Sequence, residues 1–398
     1  MRAIATCPGT RFVAFVAVRY GHGQTPERRG TVNPGHFFVV APPSASHQLQ
    51  HQRQLVLVDT HTVTNMASAA PPTRVVATLF YNAAGSDNSD DARGITPSRL
   101  NAFYTALGSA LPGLETQRIS SKELDPGAAC RVVEATFPLP STSPTALETL
   151  RRHEAIAQFE REANVECVFQ ADNVHRRYKR LAVFDMDSTL IQQEVIDEIA
   201  SMIGVEKEVS AITAAAMNGE LDFEASLRAR CKLLNGVPST VFETIKSRIT
   251  LNAGVKELIP ALQRLGFKTA VLSGGFTPLT GWMGQRLGLD YAYANHLVVS
   301  EDGQTLTGEL TGEIVHAQKK RQHVLEIAKK EGILLDQVVC VGDGANDLPM
   351  MGVAGLGVAF HAKPKVQLQA PARLNSESML DLLYLLGLTS AEQQELLC

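Results

Sequence analysis

The residues best suited to chemistry are carboxylates that follow short apolar runs. Asp185 and Asp187 flank one residue in Asp185-Met186-Asp187-Ser188-Thr189-Leu190, directly after Leu181–Phe184. If the chain bends there, both face one cavity, where like charges repel and a divalent cation relieves the repulsion. Two acids in a strand-to-loop turn are also an ordinary structural feature, so this pair alone leaves the matter even. A second acidic loop, Val341-Gly342-Asp343-Gly344-Ala345-Asn346-Asp347, again follows an apolar run. Its glycines permit tight backbone conformations, and Asp343 is placed to reach the same metal from another strand. Magnesium takes oxygen ligands, through one or two carboxylates plus phosphate and water. Two such loops after separate strands are hard to attribute to chance.

Two further segments complete the set. In Ser273-Gly274-Gly275-Phe276 a hydroxyl precedes backbone N–H groups at a helix entrance, which makes an anion cradle. Ser-Gly-Gly is also a common turn. Lys320, in His316-Ala317-Gln318-Lys319-Lys320-Arg321, can stabilise charge on a transferring phosphoryl group. For a lone lysine a solvated basic helix face is the better reading, and spacing does not separate Lys319 from Lys320.

The elements that must position these groups follow from periodicity. From Arg180 onward, short apolar runs at Leu181–Phe184, Thr269–Leu272, Gln337–Val341 and Gly355–Phe360 alternate with helical patterns. This predicts an α/β class, a doubly wound parallel sheet with helices on both faces. Ligands of such sheets bind beyond the carboxyl ends of the strands, where all these loops fall. A helical insert is expected over about 196–250. Residues 74–172 read as an α+β ferredoxin-like domain: strand Val75–Tyr81, helix Pro97–Leu111, strands at Thr116–Ile119 and Cys130–Phe137, helix Ala146–Ala163 and strand Val165–Phe169. The catalytic domain then spans 173–398, and residues 1–73 form a disordered or targeting extension.

In their order, the four motifs resemble those of the haloacid dehalogenase superfamily over roughly Arg180 to Leu388. The likeness extends to its phosphoserine phosphatases, through Ile191-Gln192-Gln193-Glu194-Val195-Ile196-Asp197-Glu198 and the stretch from Met217 to Arg230. The resemblance implies a haloacid dehalogenase-like fold with a helical cap and hydrolysis of phosphoserine through a phospho-aspartate. It implies Asp185 as nucleophile, Asp187 as general acid and base, and Lys320 as the phosphoryl-stabilising lysine. Magnesium would be held by Asp185, Asp187 and Asp343, Asp187 using its backbone carbonyl. Ser273, Gly274 and Asn346 would cradle the phosphoryl oxygens, and Asp347 would orient Lys320 or a metal-bound water. Glu194 would take the substrate ammonium and Arg230 its carboxylate, while Met217 and Phe223 exclude water under the cap. Without the resemblance, Glu194 and Arg230 read as a surface helix salt bridge, and Arg228 is a rival to Arg230. The segment 74–172 resembles the small amino-acid-binding domains of the ACT kind, which implies serine binding or dimerisation, with a spacer that packs on the catalytic domain as the alternative. A homodimer is the default expectation by resemblance. Two rivals stand beside this reading: a phosphotransferase or a phosphatase for another small metabolite on the same site, and a serine-binding regulatory protein.

Composition narrows the remaining classes. The 398 residues are 44% hydrophobic and 20% charged, with a net charge of −4, so no basic field invites nucleic acid. No apolar run nears the roughly 18 residues that span a bilayer. The six cysteines share no metal-ligand spacing and suit a reducing compartment. The expected location is cytoplasmic. The segment Met1–Val58 has six arginines, no lysine and the single acid Glu27, a composition also found in organellar transit peptides.

Overall fold

A computed structural model describes residues 74–82, 93–127, 129–139, 146–217 and 220–398. The expected extension over 1–73 lies outside them, as does the side chain of Met217. In chain order the strands are β1 (Arg74–Tyr81), β2 (Ser120–Glu123), β3 (Val132–Pro138), β4 (Val165–Ala171), β5 (Leu181–Phe184), β6 (Lys268–Phe276), β7 (Tyr291–Val299), β8 (Leu306–Thr311), β9 (Val338–Gly342), β10 (Leu356–Phe360) and β11 (Ala372–Leu374). The helices used below are α1 (Pro97–Ala110), α2 (Ala146–Arg151), α3 (Glu154–Ala163), α4 (Val195–Ile203), α5 (Glu206–Met217), α6 (Phe223–Lys232), α7 (Val241–Lys246), α8 (Val255–Arg264), α9 (Thr277–Leu287) and α10 (Ala317–Glu331).

The larger sheet has the order β11-β10-β9-β5-β6-β7-β8. All neighbouring pairs are parallel except β7 with β8. Its central strand is buried on both faces: Leu181 and Val183 join one core, Ala182 and Phe184 the other. A strand covered by helices on both sides must be apolar at every position, which is why the run carries no alternation. Phe184 stands level with Val271 on one side and Val341 on the other. The loops that leave β5, β6 and β9 therefore emerge side by side. This is also where the strand order reverses, the place where open α/β sheets form a crevice.

Helices α4 to α7 form the insert between β5 and α8. Its two connections to the sheet are clamped together. Ile191 bridges Leu251, Gln192 N–H donates to the Thr250 carbonyl at 3.0 Å, and Gln193 Nε2 donates to Thr250 Oγ1 at 2.8 Å. The β7–β8 hairpin supports the insert from its other side. At Gly308, with φ +75°, a Cβ would come within 2.9 Å of the Cys231 carbonyl oxygen of α6, so the hairpin approaches at a distance only glycine allows.

The smaller sheet has the antiparallel order β2-β3-β1-β4 and the predicted β-α-β-β-α-β sequence of elements, with two differences. Thr116–Arg118 is a 3-10 turn, and the strand starts at Ser120. This edge strand is exposed at every residue, so no apolar pattern marks it. The expected single helix over 146–163 is two helices, because the His153 ring accepts from the Ala155 N–H at 3.2 Å and starts a new one.

One face of this sheet packs on the C-terminal part of the chain. Phe80, Leu124, Val132 and Val168 share a core with Leu382, Leu383 and Leu385. Charged pairs edge this contact. Arg131 donates to both oxygens of the buried Asp381 at 2.6 and 2.8 Å, and Arg373 pairs with Glu160 at 2.5 Å and Glu166 at 3.4 Å. Arg131→Ala strips Asp381 of its partner while the carboxylate stays buried. The expected loss is about 2 kcal/mol of stability, read as a lower urea midpoint at unchanged slope; an unmoved midpoint would show that the pair contributes nothing.

Candidate active site

Asp185 leaves β5 at the crevice. Its N–H donates to the Val341 carbonyl at 2.9 Å, which locks it to β9. Its Oδ1 accepts from the Met186 N–H at 2.6 Å and from Lys320 Nζ at 2.8 Å. The chain then folds into a tight turn over Met186–Leu190, with Ser188 in the left-handed region at φ 56°. This bend turns both acids inward, as their spacing required. Asn252, from the far end of the insert, holds the turn in shape: its Nδ2 donates to the carbonyls of Thr189 at 2.7 Å and Ile191 at 3.2 Å.

Lys320 lies in the first turns of α10 and is fully buried. Besides Asp185 it pairs with Asp347 at 2.8 Å. Burial alone would lower its pKa; the two carboxylates outweigh that and raise it. The neighbouring Lys319 pairs instead with the exposed Glu313, which separates the two lysines that spacing left equivalent. Asp347 spends its second oxygen on the Gly344 N–H at 3.0 Å. Its pKa is raised by burial and by Asp185, against the pull of Lys320. A Cβ at Gly342 would fall 2.4 Å from the Asp347 carboxyl carbon, so this loop closes only around glycine.

Asp343, half-buried, accepts from Thr189 Oγ1 at 2.8 Å. Burial and the Asp185 charge push its pKa up to about 7. Asp185, Asp343 and Asp347 each offer an oxygen within 4.8 Å of the others, a hard, all-oxygen donor set. With both Asp347 oxygens engaged by Lys320 and Gly344, Asp185 and Asp343 are the freer of the three. That set suits a divalent cation that favours oxygen.

Asp187 sits against the Ser-Gly-Gly turn, its Oδ2 3.4 Å from where a Gly275 Cβ would stand. Oδ2 accepts from Val195 N–H, at the start of α4, at 3.4 Å, whereas Oδ1 is enclosed with no hydrogen-bond partner. Burial, then Glu194 and Asp185, raise its pKa well above the usual carboxylate range. A raised pKa of this kind is what an acid catalyst at neutral pH needs.

Ser273 is fully buried at the end of β6, and its Oγ accepts from the Gly275 N–H at 2.9 Å. Contrary to expectation, Ser273-Gly274-Gly275 lies within the strand rather than at the helix entrance, since β6 runs to Phe276 and α9 starts at Thr277. The Gly274 carbonyl accepts from Asn295 Nδ2 at 2.8 Å, and Asn295 Oδ1 accepts from the Val315 N–H at 2.8 Å. This buried asparagine of β7 aims the Gly274 peptide. Asn346 folds back over its own loop, its Oδ1 2.1 Å from a Cβ built at Gly344.

The insert supplies the remaining side chains. Glu194 precedes α4 and accepts from Ser188 Oγ at 2.7 Å. The residue is exposed overall, but its carboxylate is crowded by protein, and this loss of water raises its pKa against the Ser188 hydrogen bond. Arg230, half-buried near the end of α6, is close enough for its charge to act on Glu194. Its rival Arg228 is exposed and paired with Glu224 at 2.7 Å on the same helix. The Phe223 ring reaches within 3.4 Å of the position of a Gly274 Cβ, so the insert touches the Ser-Gly-Gly turn directly. Met217 ends α5, with its side chain outside the described residues.

Ser188, Thr189, Asn252 and Asn295 are the partners that sequence reading missed. The first two lie inside the first motif, where a hydroxyl beside two acids could have been read as a carboxylate donor. Asn252 and Asn295 carry no sequence signal beyond their residue type.

The family model for haloacid dehalogenase-like hydrolases matches residues 179–355. A probable phosphoserine phosphatase of Schizosaccharomyces pombe is 47% identical over 234 residues, 59% of this chain and 78% of that protein. A phosphoserine phosphatase of Streptomyces coelicolor is 42% identical over 307 residues, 75% of this chain and 74% of that protein. A solved HAD family hydrolase from Salmonella enterica serovar Typhi matches with a TM-score of 0.62 at 28% identity, over 79% of this chain and 98% of that one. The motif loops, their shared crevice and these relatives agree, and the chain belongs to the phosphoserine phosphatases of the haloacid dehalogenase-like hydrolases.

Proposed function

We propose that this protein hydrolyses O-phospho-L-serine to L-serine and phosphate, the last step of serine biosynthesis, through a phospho-aspartate on Asp185. The observation that carries this is the contrast between two acids of one turn. Asp185 is ion-paired to a buried lysine, and Asp187 is enclosed with one oxygen unpartnered.

In the first half-reaction an Asp185 carboxylate oxygen attacks phosphorus. The bond from phosphorus to the serine oxygen breaks, and Asp187 gives its proton to that oxygen. In the second, Asp187 takes a proton from water as the water attacks the acyl phosphate, which releases phosphate and restores Asp185. Lys320, Ser273, the Gly274 N–H and Asn346 surround the phosphoryl oxygens. Lys320 is held for this by Asp347, so no reorganisation is needed when charge shifts. Magnesium, held by Asp185, the Asp187 carbonyl and Asp343, would neutralise phosphate charge and fix its orientation when bound.

Recognition of the amino-acid end falls to Glu194 for the ammonium and Arg230 for the carboxylate, with Phe223 and Met217 excluding water as the insert closes. Arg228, tied to Glu224, is not free for this role. Serine binding at the four-stranded domain extends the proposal and rests on the resemblance to ACT-like domains, and a homodimer rests on the resemblance to phosphoserine phosphatases.

Phosphate release from O-phospho-L-serine and a panel of small phosphate esters tests the reading. Strong preference for phosphoserine, abolished by chelation and restored by magnesium, is expected; comparable rates on unrelated esters would remove the substrate assignment. Asp185→Asn should cut turnover by about 10⁴-fold or more with an unchanged circular dichroism spectrum, and residual turnover near wild type would end the phospho-aspartate mechanism. Arg230→Ala should raise KM for phosphoserine by about 10- to 100-fold and leave an aryl phosphate little affected. Equal losses on both esters would take Arg230 out of carboxylate recognition.

A further inference from the structure

The larger sheet has a second polar cavity at the end away from Asp185. It has a volume of about 160 Å³ and lies where β4 and the linker after it meet the segments leading into β9, β10 and β11. Arg151, Arg176 and Lys179 line it together with Gln170, Asp336 and Leu356.

The cations here lack the anions that buried cations normally have. Arg151, the last residue of α2, donates Nε and Nη2 to the Phe169 carbonyl at 3.2 and 2.8 Å and meets no carboxylate there. Lys179 is only 5% exposed, and its Nζ donates to the Asp336 backbone carbonyl at 2.6 Å. The Asp336 side chain is exposed and acts on Lys179 only through its charge. Arg176, 6% exposed, pairs with Glu134 at 2.7 Å, but its Nε is enclosed with no partner. Three cations thus share one directly bonded carboxylate. Burial lowers the pKa of Lys179 to about 8 and that of Arg151 to about 10. In both, the loss of water outweighs the pull of the nearest carboxylate, Asp336 for Lys179 and Glu148 for Arg151.

We propose that this cavity binds a small oxyanion, a phosphate or a carboxylate group, held by Arg151, Arg176 and Lys179. Guanidinium forks match the paired oxygens of either group, and the ammonium adds a point charge. The ligand would touch α2, the linker after β4 and the turns before β9 and β10 at once, and so tie the four-stranded domain to the sheet that carries the crevice. Nothing in the phosphatase reading requires this site, and its test does not depend on turnover.

The test is calorimetric titration of the full chain with inorganic phosphate and, separately, with malonate at constant ionic strength. Phosphate can also enter the crevice at Asp185, so the wild type is compared with Arg151→Gln and Lys179→Gln, and with Lys179→Arg as the charge-keeping control. A binding event weakened by about tenfold or more in both glutamine variants and retained in Lys179→Arg is expected. Dependence seen with phosphate alone or malonate alone supports the site and names its ligand class. Equal affinities of the wild type and both glutamine variants for both anions, or no binding of either anion by the wild type, would overturn the proposal. If one glutamine variant fails to fold, the other still decides.

Discussion

The buried ammonium of Lys320 holds the site together. It contacts carboxylates from two different strands at 2.8 Å each, in a place from which water is excluded. A lysine there without partners would cost several kcal/mol or lose its proton. The fold must therefore deliver Asp185 from β5, Asp347 from the loop after β9 and Lys320 from α10 to one point. The register of β5 with β9 does this, because Phe184 and Val341 stand level and their next residues emerge together. Gly342 lets the Asp347 carboxylate close in from above. Each of these features answers the requirement of one buried charge.

The same constraint divides labour within the molecule. In the proposed reaction, β6, the loops after β5 and β9, and α10 supply the groups that act on phosphorus. The insert supplies Phe223 and Arg230, and Glu194 sits where the two meet, bonded through Ser188 to the acidic turn. The clamp of Gln192, Gln193, Thr250 and Asn252 joins the two connections of the insert at its base. These bonds tie the base of the insert to the turn that carries Asp185 and Asp187.

Much of this was legible in the sequence because of what a doubly covered strand requires. Such a strand must be apolar throughout, so the short apolar runs stand out, and four of them located β5, β6, β9 and β10. The edge strand β2 was missed for the opposite reason: its four exposed residues obey no apolar rule. Lys319 and Lys320 could not be separated because adjacent helical residues differ by about 100° in direction, and only the packing of α10 tells which one faces the crevice. Asn252 and Asn295 escaped notice because an asparagine in a turn or strand looks the same whether or not its amide aligns a distant peptide.

The charge inventory of the crevice explains why a divalent cation belongs in the proposed reaction. Among the described residues, Asp185, Asp187, Asp343, Asp347 and Glu194 are grouped with Lys320 and Arg230, five acids against two bases. A phosphate dianion entering with all five acids ionised would meet a strongly repulsive field. The protein relieves part of this itself: burial raises the pKa values of Asp187 and Asp343, so that protons can replace cations there. A proton suits Asp187, whose proposed work is to give one away. It does not suit Asp343, whose carboxylate lies beside Asp185 in the oxygen donor set that a cation needs. A divalent ion at Asp185 and Asp343 would displace that proton, return Asp343 to its charged form and bring the field of the crevice near neutrality. The raised pKa of Asp343 and the proposed magnesium are in this sense two answers to the same excess of negative charge, and the second frees Asp343 of a proton while Asp187 keeps the one it is proposed to give away.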